Sequence, residues 1–231
     1  GNDAIHVYKG RRVGIPYRTL YSKNIANLFM AGRCHSATQT AFGGTRVMRP
    51  MCATGQAAGT AAALARRYGT TPRGVYEAHV GELQQALLRD GCYLPGVRNS
   101  DPADRALNAK AEASSAAAGA GAANINNGWS RKAEGARNVW LPDPKSAGLQ
   151  WVGLRLAEAA EVGEVQVTFE KAGAPCRVQV GAGDGWKEVA RVAADAPRRV
   201  ALVFERVRTE RVRLLFDEGV NGVAVCEVRV Y

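Results

Sequence analysis

Residues 199–216, RVALVFERVRTERVRLLF, set the character of the C-terminal half of the chain. Two apolar sets alternate there with charged residues, namely Val200, Leu202, Phe204 and Val212, Leu214, Phe216. A period of two residues places alternate side chains on opposite faces of a β-strand. The stretch therefore predicts strands that bury their apolar face and turn their arginines towards solvent.

The same period recurs on the N-terminal side of this stretch and at the end of the chain. Further apolar sets are Val165, Val167, Phe169 and Cys176, Val178, Val180. Asp184 and Gly185 give a tight-turn signal between two of the runs, and GVAVCEVRVY forms a last strand. Many short alternating strands with turn residues between them predict a β-sandwich or barrel over residues 111–231.

Residues 1–95 show a different pattern, in which short strands mix with helices. NLFMAG, residues 27–32, is typical of a short buried strand that ends in glycine. Thr54 is placed to cap a helix over GQAAGTAAALARRY, and Gly69 is placed to end it. Thr71 and Pro72 then begin a second helix that continues to Gly91.

The polar, turn-rich residues 96–110 predict a linker between the two parts. The following residues, AEASSAAAGAGAANINNGW, have little side-chain bulk and either continue the linker or supply a first edge strand.

Charge and composition exclude several classes of partner. The net charge is +10, but the arginines are dispersed along the strands, which disfavours a nucleic-acid surface and leaves a phosphorylated cofactor as another partner for a basic chain. No apolar run approaches the roughly 20 residues of a membrane span, so we predict no membrane partner. The five cysteines are odd in number and lack metal spacing. We therefore predict buried reduced thiols, no disulfide framework and no metal site.

The stretch FMAGRCHSATQTAFGGTRVMRPMCATGQAAGTAAALA, residues 29–65, is poor in bulky residues. A strand that ends in glycine lets a ligand approach the backbone, and a helix that begins at Gly55 would present free N–H groups and a partial positive charge. Such a helix end suits a phosphate or a developing negative charge. His35, Arg33 and Arg46 add a titratable group and fixed cations. The alternative is a slim helix that packs closely on a sheet with no ligand.

Several linked motifs in this region resemble one family. An Ile-Pro-Tyr-Arg element, an Asn-Leu-x-x-Ala-Gly-Arg strand, an Arg-Val-Met element and a Gly-Gln-Ala-Ala-Gly-Thr-Ala-Ala helix occur in this order within residues 15–62. They resemble the C-terminal FAD-binding segment of the FAD-dependent oxidoreductases related to fumarate-reductase-type flavoproteins. The resemblance covers about the first 95 residues and implies the C-terminal part of a Rossmann-type FAD-binding domain.

The resemblance implies a role for each candidate site residue. Gly32 and Arg33 would contact the diphosphate or ribityl part of FAD, while the remaining cofactor contacts, Gly55, Gln56 and Ala57, would face the flavin. A helix N-terminus near the flavin N1/C2 region would favour the reduced form. His35 and Arg46 would lie near the flavin face, as catalytic residues for proton transfer or for holding an anionic small-molecule substrate. The alternative for His35 is a hydrogen-bonded structural histidine.

A complete flavin site in that family also needs a βαβ unit with G-x-G-x-x-G. GAGAAN at 119–124 ends in asparagine and lacks a preceding strand, and GAGDGW at 181–186 matches a hairpin turn. We therefore expect the other half of the FAD site to lie upstream or on another chain, and we expect this chain alone to be inactive.

The second domain resembles galactose-binding-like, discoidin-type jelly rolls. The resemblance rests on the Asn127-Gly128 turn, Trp140, the Gln150-Trp151 strand and the final VCEVRVY. Such domains bind sugars, lipid head groups or proteins, or brace an enzyme. Aromatic candidates for a carbohydrate platform are Trp129, Trp140 and Trp186, with burial in the core as the alternative. No carboxylate cluster supports a calcium ion near residues 126–128.

Together these patterns predict a multi-domain chain of α/β plus all-β class. Residues 1–95 would form the C-terminal segment of a FAD-dependent oxidoreductase domain, residues 96–110 a linker, and residues 111–231 a jelly-roll β-sandwich. The predicted function is part of a FAD-dependent oxidoreductase with an accessory β-sandwich. The alternative is a non-catalytic module that binds carbohydrate or protein on a scaffold remnant.

Overall fold

The structure is a computed structural model, which describes residues 14–131, 136–218 and 222–231. The chain divides into two compact units, residues 1–98 and 99–231, and each has its own apolar core. Within the described ranges, no helix combines the length and the apolar character needed to cross a bilayer.

The first unit is helical over its described residues. It contains the 3₁₀ turns Tyr17–Leu20 and Gly32–Cys34 and four α-helices, which are α1 (Gln39–Thr45), α2 (Met48–Arg67), α3 (Pro72–Ala78) and α4 (Val80–Arg89). Its core forms where α2 meets the two later helices, through Leu64 and Ala61 on α2, Val75 on α3, and Leu83 and Leu87 on α4. Small residues on α2 allow these helices to approach closely.

The predicted signals between α2 and α3 are confirmed. Gly69 adopts a φ of +58°, which glycine tolerates because it has no Cβ. Its N–H donates to the Arg66 carbonyl and the Thr70 N–H donates to the Ala65 carbonyl, which is the hydrogen-bond pattern of a Schellman motif. The Thr71 hydroxyl accepts a hydrogen bond from the Gly74 N–H at 3.2 Å and caps α3.

The predicted start of α2 is wrong. The helix begins at Met48, after Val47 as its N-cap, and Thr54 lies inside it with its hydroxyl donating to the Met51 carbonyl at 2.8 Å. Pro50 is compatible with the first turn because the N–H groups there have no helical acceptor to lose. Sequence inspection placed the boundary at the Thr-Gly pair, but the helix continues through it.

Two other predicted elements are interrupted. The predicted strand at 27–32 contributes a single β-bridge, between Phe29 and Tyr21, in the part of the chain that is described. The predicted helix after Pro72 divides at His79, whose φ is −129°. The His79 ring stacks on Tyr68, with ring centroids 3.8 Å apart.

Where the structure describes it, the second unit contains six antiparallel strands, which confirms the predicted all-β fold. They are β1 (Lys110–Ala113), β2 (Gln150–Phe169), β3 (Cys176–Ala182), β4 (Gly185–Val192), β5 (Arg199–Phe216) and β6 (Val225–Val230). The 3₁₀ turns Arg105–Asn108 and Ala122–Ile125 accompany them.

The long strands β2 and β5 take part in two layers of a sandwich. Their register shifts between Arg155 and Ala160, and the residues before this shift pair with β1 and with the end of β5. The later part of β2 pairs with β6 and with the start of β5. β3 and β4 extend the first layer beyond β5. The apolar faces of the two layers share one core, which includes Val152, Val167 and Leu214.

The strand pattern is confirmed with two refinements. The β3–β4 hairpin turns at Gly183 and Asp184, one residue before the predicted pair, with Gly183 at a φ of +54°. Gln166 and Thr168, which alternate along β2 with the apolar set Val165, Val167 and Phe169, are buried as well. The side chain of Gln166 accepts a hydrogen bond from Arg199 at 2.7 Å, so its polar group is satisfied there.

Part of the segment predicted as a linker at 96–110 lies in the second unit. Asn99 and Asp104 are buried, and the Asp104 carboxylate accepts a hydrogen bond from the Val230 N–H at 2.9 Å. Asn99 donates to the same carboxylate at 2.7 Å. Because these contacts hold the segment against the last strand, the boundary between the units falls after Arg98.

Candidate functional site

Gly32 is the centre of the candidate cofactor segment. It adopts a φ of +59°, and no described atom lies within 4 Å of the position that a Cβ would occupy. Its N–H donates to the Thr54 hydroxyl at 3.0 Å, which fixes the Gly32–Cys34 turn against α2. The backbone at Gly32 is therefore both anchored and open to the approach of a ligand.

His35 is a buried and hydrogen-bonded side chain, only 5% exposed. Its Nδ1 lies 2.6 Å from the Gly32 carbonyl, which can only accept, so this nitrogen carries the proton. Its Nε2 lies 2.9 Å from the Thr45 hydroxyl at the end of α1. The ring also contacts Phe42, with centroids 5.2 Å apart. This arrangement links the Gly32 turn to α1 and gives His35 a positioning role in the structure.

The candidate arginines differ from His35 because they are exposed. Arg33 lies in the Gly32–Cys34 turn, and Arg46 caps the C-terminal end of α1, next to Thr45. The contacts of Gly32 and His35 bring this turn, the end of α1 and the second turn of α2 together. Arg33 and Arg46 thus carry positive charge on two elements that meet at His35.

The structure separates the three candidate residues on α2. Gly55 is exposed, Gln56 donates to the Asp90 carboxylate at 3.4 Å, and Ala57 packs against the helical core. Successive residues of an α-helix are rotated by about 100°, so three neighbours cannot share one direction. The N–H of Gly55 lies inside the helical ladder. The free N–H groups of α2 lie instead in its first turn, at Met48 and Arg49.

Part of the surface of this unit is uncovered, which the sequence patterns did not predict. Cys52, Gly55 and Gly59 are exposed on α2 at spacings of three and four residues, which place them on one side of the helix. Large aliphatic side chains of the described part of this unit are also exposed, namely Ile25 (53%), Leu28 (40%), Val47 (52%) and Met48 (84%). In the sequence, the sign of such a surface is that these apolar residues stand next to polar residues and turns. Val47 and Met48 are neighbours in sequence, so they form an exposed apolar pair at the start of α2.

The prediction of buried thiols holds for part of the set. Cys176 and Cys226 are buried in the sandwich, and burial raises the pKa of the Cys176 thiol to about 12. Cys34 and Cys52 are exposed, so the prediction is wrong for them. Both lie in the helical unit, where the turn and one side of α2 are uncovered.

The tryptophans of the sandwich have different environments. Trp140 is fully buried and donates from its indole nitrogen to the Ser115 carbonyl at 2.9 Å, so it belongs to the core. Trp129 is partly buried. Trp186 is partly exposed on the sheet beside Arg213, whose guanidinium carbon lies 4.0 Å from the ring centroid. Trp151, which was not among the predicted candidates, lies on the same face.

The polar loop at residues 126–128 is occupied by internal hydrogen bonds. Asn126 donates to the carbonyls of Ala106 and Ala109, each at 2.8 Å, and Asn127 donates to the Asn138 side chain at 2.7 Å. Among the residues that the structure describes, no group of three or more His, Cys, Asp or Glu side chains is placed to hold a metal ion.

Comparison with known families and structures gives an independent view of both units. Residues 1–87 match the family described as FAD dependent oxidoreductase. No curated protein matches the chain.

Solved structures similar to this chain match a little over half of it. A carbohydrate-binding module of Clostridium perfringens, CpGH89CBM32-5, solved in complex with GalNAc-β-1,3-galactose, is 20% identical, covers 55% of this chain and 97% of its own, and has a TM-score of 0.47. Chitosan-binding module 1 from a chitosanase/glucanase of Paenibacillus sp. IK-5 is 26% identical, with coverages of 55% and 98% and a TM-score of 0.44. The lectin domain of lectinolysin, complexed with Lewis B antigen, is 20% identical, with coverages of 56% and 96% and a TM-score of 0.47.

Residues 1–87 are therefore similar to the FAD dependent oxidoreductase family, and residues 99–231 form an antiparallel β-sandwich.

Proposed function

We propose that residues 14–98 form one wall of the FAD site of an oxidoreductase that acts on a small-molecule substrate, with the β-sandwich as an accessory domain. The family match over residues 1–87 supports this assignment. The observation that carries it is the open, left-handed backbone at Gly32, which is held in place by Thr54 and His35.

The residues present fit part of the cofactor. A diphosphate or ribityl group needs close approach to the backbone and a nearby cation, and Gly32 and Arg33 supply these from one turn. The exposed small side of α2 at Gly55 leaves room for a flat ring. FAD, when bound, supplies the hydride and electron transfer chemistry. The chain's own residues bind and orient it.

His35 and Arg46 take separate roles in this proposal. His35 keeps the Gly32 carbonyl and the Thr45 hydroxyl in fixed positions, because each of its ring nitrogens contacts one of them. Arg46 is exposed at the end of α1 and provides a fixed positive charge for an anionic substrate. A proton-transfer role for His35 requires that its contact with Thr45 exchange for one with the substrate.

The adenosine half of FAD needs a second polypeptide segment. The two glycine-rich stretches of this chain occur in the sandwich, where residues 181–186 form the β3–β4 hairpin and residues 119–124 lead into the turn Ala122–Ile125. We propose that a βαβ segment from elsewhere completes the site. The exposed apolar side chains Val47 and Met48 support such a docking surface.

A pair of matched glycine substitutions tests the proposal. Gly32→Val and Gly69→Val introduce the same side chain at φ values of +59° and +58°, and both positions are open. The backbone strain is therefore similar, at about 1–2 kcal/mol. In the protein that carries both halves of the flavin domain, Gly32→Val is expected to weaken FAD binding about tenfold or more, measured by quenching of flavin fluorescence. Gly69→Val is expected to lower only the thermal stability.

Two results would contradict the proposal. The first is equal FAD affinity for the Gly32→Val and Gly69→Val variants. The second is tight stoichiometric FAD binding by this chain without a βαβ segment. Arg33→Gln gives a further test that does not strain the backbone, and it is expected to weaken FAD binding through the loss of one cation.

A further inference from the structure

One face of the first sandwich layer carries a cluster of arginine and tryptophan side chains. Cross-strand pairing aligns Gly153 on β2 with Arg213 on β5 and Gln179 on β3. The side chains two residues away lie on the same face, because strand side chains alternate. This face, here called the arginine face, carries Trp151, Arg155, Arg177, Trp186, Arg211 and Arg213.

Two glycines leave space on the sheet for the side chains of Arg211 and Arg213. A Cβ at Gly153 would lie 2.8 Å from the Cβ of Arg213, and a Cβ at Gly181 would lie 2.7 Å from Nε of Arg211. Both distances are too short for real side chains, so each arginine lies across a glycine position. Arg211 also donates to the carbonyls of Gly183 and Gly185, at 2.5 and 3.3 Å.

Arg213 is held between two indole rings with its hydrogen-bonding end free. Its guanidinium carbon lies 4.0 Å from the Trp186 ring centroid and 6.0 Å from that of Trp151. Its Nε donates to the Gln179 side chain at 2.9 Å, and its two terminal nitrogens have no acceptor among the described residues. Arg211 flanks Trp186 as well, at 5.1 Å. The guanidinium group of Arg213 is therefore held in one orientation, while its terminal N–H groups have no protein acceptor.

The charges of Arg211 and Arg213 have no carboxylate partner among the described residues. The other cations around them have carboxylate partners, in the pairs Lys110–Glu112, Arg155–Glu210, Arg177–Asp217 and Arg191–Glu188. Neither Arg211 nor Arg213 forms an ion pair with a described residue. Burial and the nearby charges of Arg177 and Arg211 lower the pKa of Arg213, which is the effect expected of cations held together without an anion.

A pocket of about 150 Å³ opens beside the cluster. Its lining includes Trp151, Trp186, Arg155, Arg211 and Glu112, and the carboxylate of Glu112 is paired with Lys110 at 3.0 Å. The two indole rings and the side chains of Arg155 and Arg211 therefore border the same small space, and Gly153 in its lining is the position that Arg213 lies across. A matching ligand has a flat apolar side and an oxyanion.

We propose that the arginine face binds an acidic sugar, whose carboxylate or sulfate group accepts hydrogen bonds from Arg213 and Arg211 while its ring packs on Trp151 or Trp186. Guanidinium groups match planar oxyanions in geometry and form strong charge-assisted hydrogen bonds with them. A long polyanion such as a nucleic acid needs several cations along its backbone. Here carboxylates surround Arg211 and Arg213 and pair with the neighbouring cations. The site does not depend on the flavin proposal, because it lies entirely in the second unit.

The test uses galacturonic acid and galactose, which differ only in the carboxylate at C6. Indole N–H signals of the full chain provide the readout, because the chain has four tryptophans and they lie in different environments. Galacturonate is expected to shift the signals of Trp151 and Trp186 and to leave that of the buried Trp140 unchanged. Its affinity is expected to exceed that of galactose by about tenfold or more and to fall as salt is raised.

A matched pair of substitutions on the same face completes the test. Arg213→Gln is expected to weaken galacturonate binding about tenfold, while Arg191→Gln, which removes a cation already paired with Glu188, is expected to leave it unchanged. Thermal unfolding checks that each variant is folded. If a variant fails to fold, the shifts of the indole N–H signals in the unmodified chain still test the proposal.

Three outcomes would overturn the proposal. They are the absence of binding of either sugar, equal affinity for the acidic and the neutral sugar, and preferential binding of a single-stranded oligonucleotide that depends on Arg213. The last result would assign the arginine face to nucleic acid.

Discussion

Asp104 connects the start of the second unit to its last strand and gives a sharp prediction about pH. One carboxylate oxygen accepts hydrogen bonds from the N–H groups of Val230, at 2.9 Å, and Ala106, at 3.0 Å. The other accepts from the Asn99 side chain at 2.7 Å. The side chain is almost fully buried, with 3% of the residue exposed. Stability should therefore depend on the ionisation of this carboxyl group.

The sign and size of the effect follow from its pKa. Burial raises the pKa of Asp104 from 3.8 to about 6, although its hydrogen bonds and Arg229 act in the opposite direction. Between these two values the folded protein binds more protons than the unfolded chain, so the free energy of unfolding falls as pH rises. One pKa unit corresponds to about 1.4 kcal/mol, so the whole shift of about two units amounts to about 3 kcal/mol. About 2 kcal/mol of this stability is lost between pH 4 and pH 7, because the carboxyl group of the unfolded chain is already partly ionised at pH 4.

The substitution Asp104→Asn removes this titration and keeps the shape of the side chain. Relative to the unmodified chain, the variant is expected to gain about 2 kcal/mol of unfolding free energy as the pH rises from 4 to 7, whatever the difference between the two proteins at pH 4. Tryptophan fluorescence in urea measures this unfolding selectively, because all four tryptophans lie beyond residue 98.

The control is Asn99→Ala, which removes one hydrogen-bond donor to Asp104 and retains the Asp104 carboxyl group. The free energy of unfolding of this variant should still fall as the pH rises. Parallel pH profiles for Asp104→Asn and the unmodified chain would refute the reasoning.

Three further predictions concern packing, capping and thiol reactivity. Trp140→Ala removes a fully buried ring and its hydrogen bond to Ser115, and urea unfolding should show a loss of about 3–5 kcal/mol. Thr71→Ala removes the side-chain cap of α3, and thermal unfolding of the helical unit, followed by circular dichroism, should show a loss of about 1 kcal/mol, whereas an unchanged midpoint would contradict the capping role. Ellman's reagent should label the exposed Cys34 and Cys52 in the folded protein, and Cys176 only after unfolding, because burial raises the pKa of that thiol to about 12.

Local patterns were predictable wherever a single element fixes the answer. The alternation in β5 placed Val212, Leu214 and Phe216 in the core, since a strand has only two faces and one of them is apolar. Gly69 ended α2 because the left-handed conformation there costs glycine little. These features depend on the backbone conformation of a few consecutive residues, which can be predicted from the types of those residues.

Features that depend on contacts between distant elements were harder to predict. Thr54 has the chemistry of a helix cap, yet its hydroxyl lies inside α2 and receives the N–H of Gly32. Gln166 has the spacing of a solvated strand residue, but Arg199 pairs with it in a buried position. In each case the residue type allows two environments, and a partner more than twenty residues away selects one of them.

The two kinds of architecture could be predicted from the sequence alone, because the hydrophobic period changes from a helical one to a period of two along the chain. The family resemblance of the first part could also be predicted in this way. The tertiary structure was needed to show which residues contact each other. It assigned Trp140 to the core and Trp186 to the surface, joined His35 to both Gly32 and Thr45, and aligned Arg213 between two tryptophans from different strands. The physical reason is that strand register and helix packing set distances between residues far apart in sequence, and no local pattern encodes those distances.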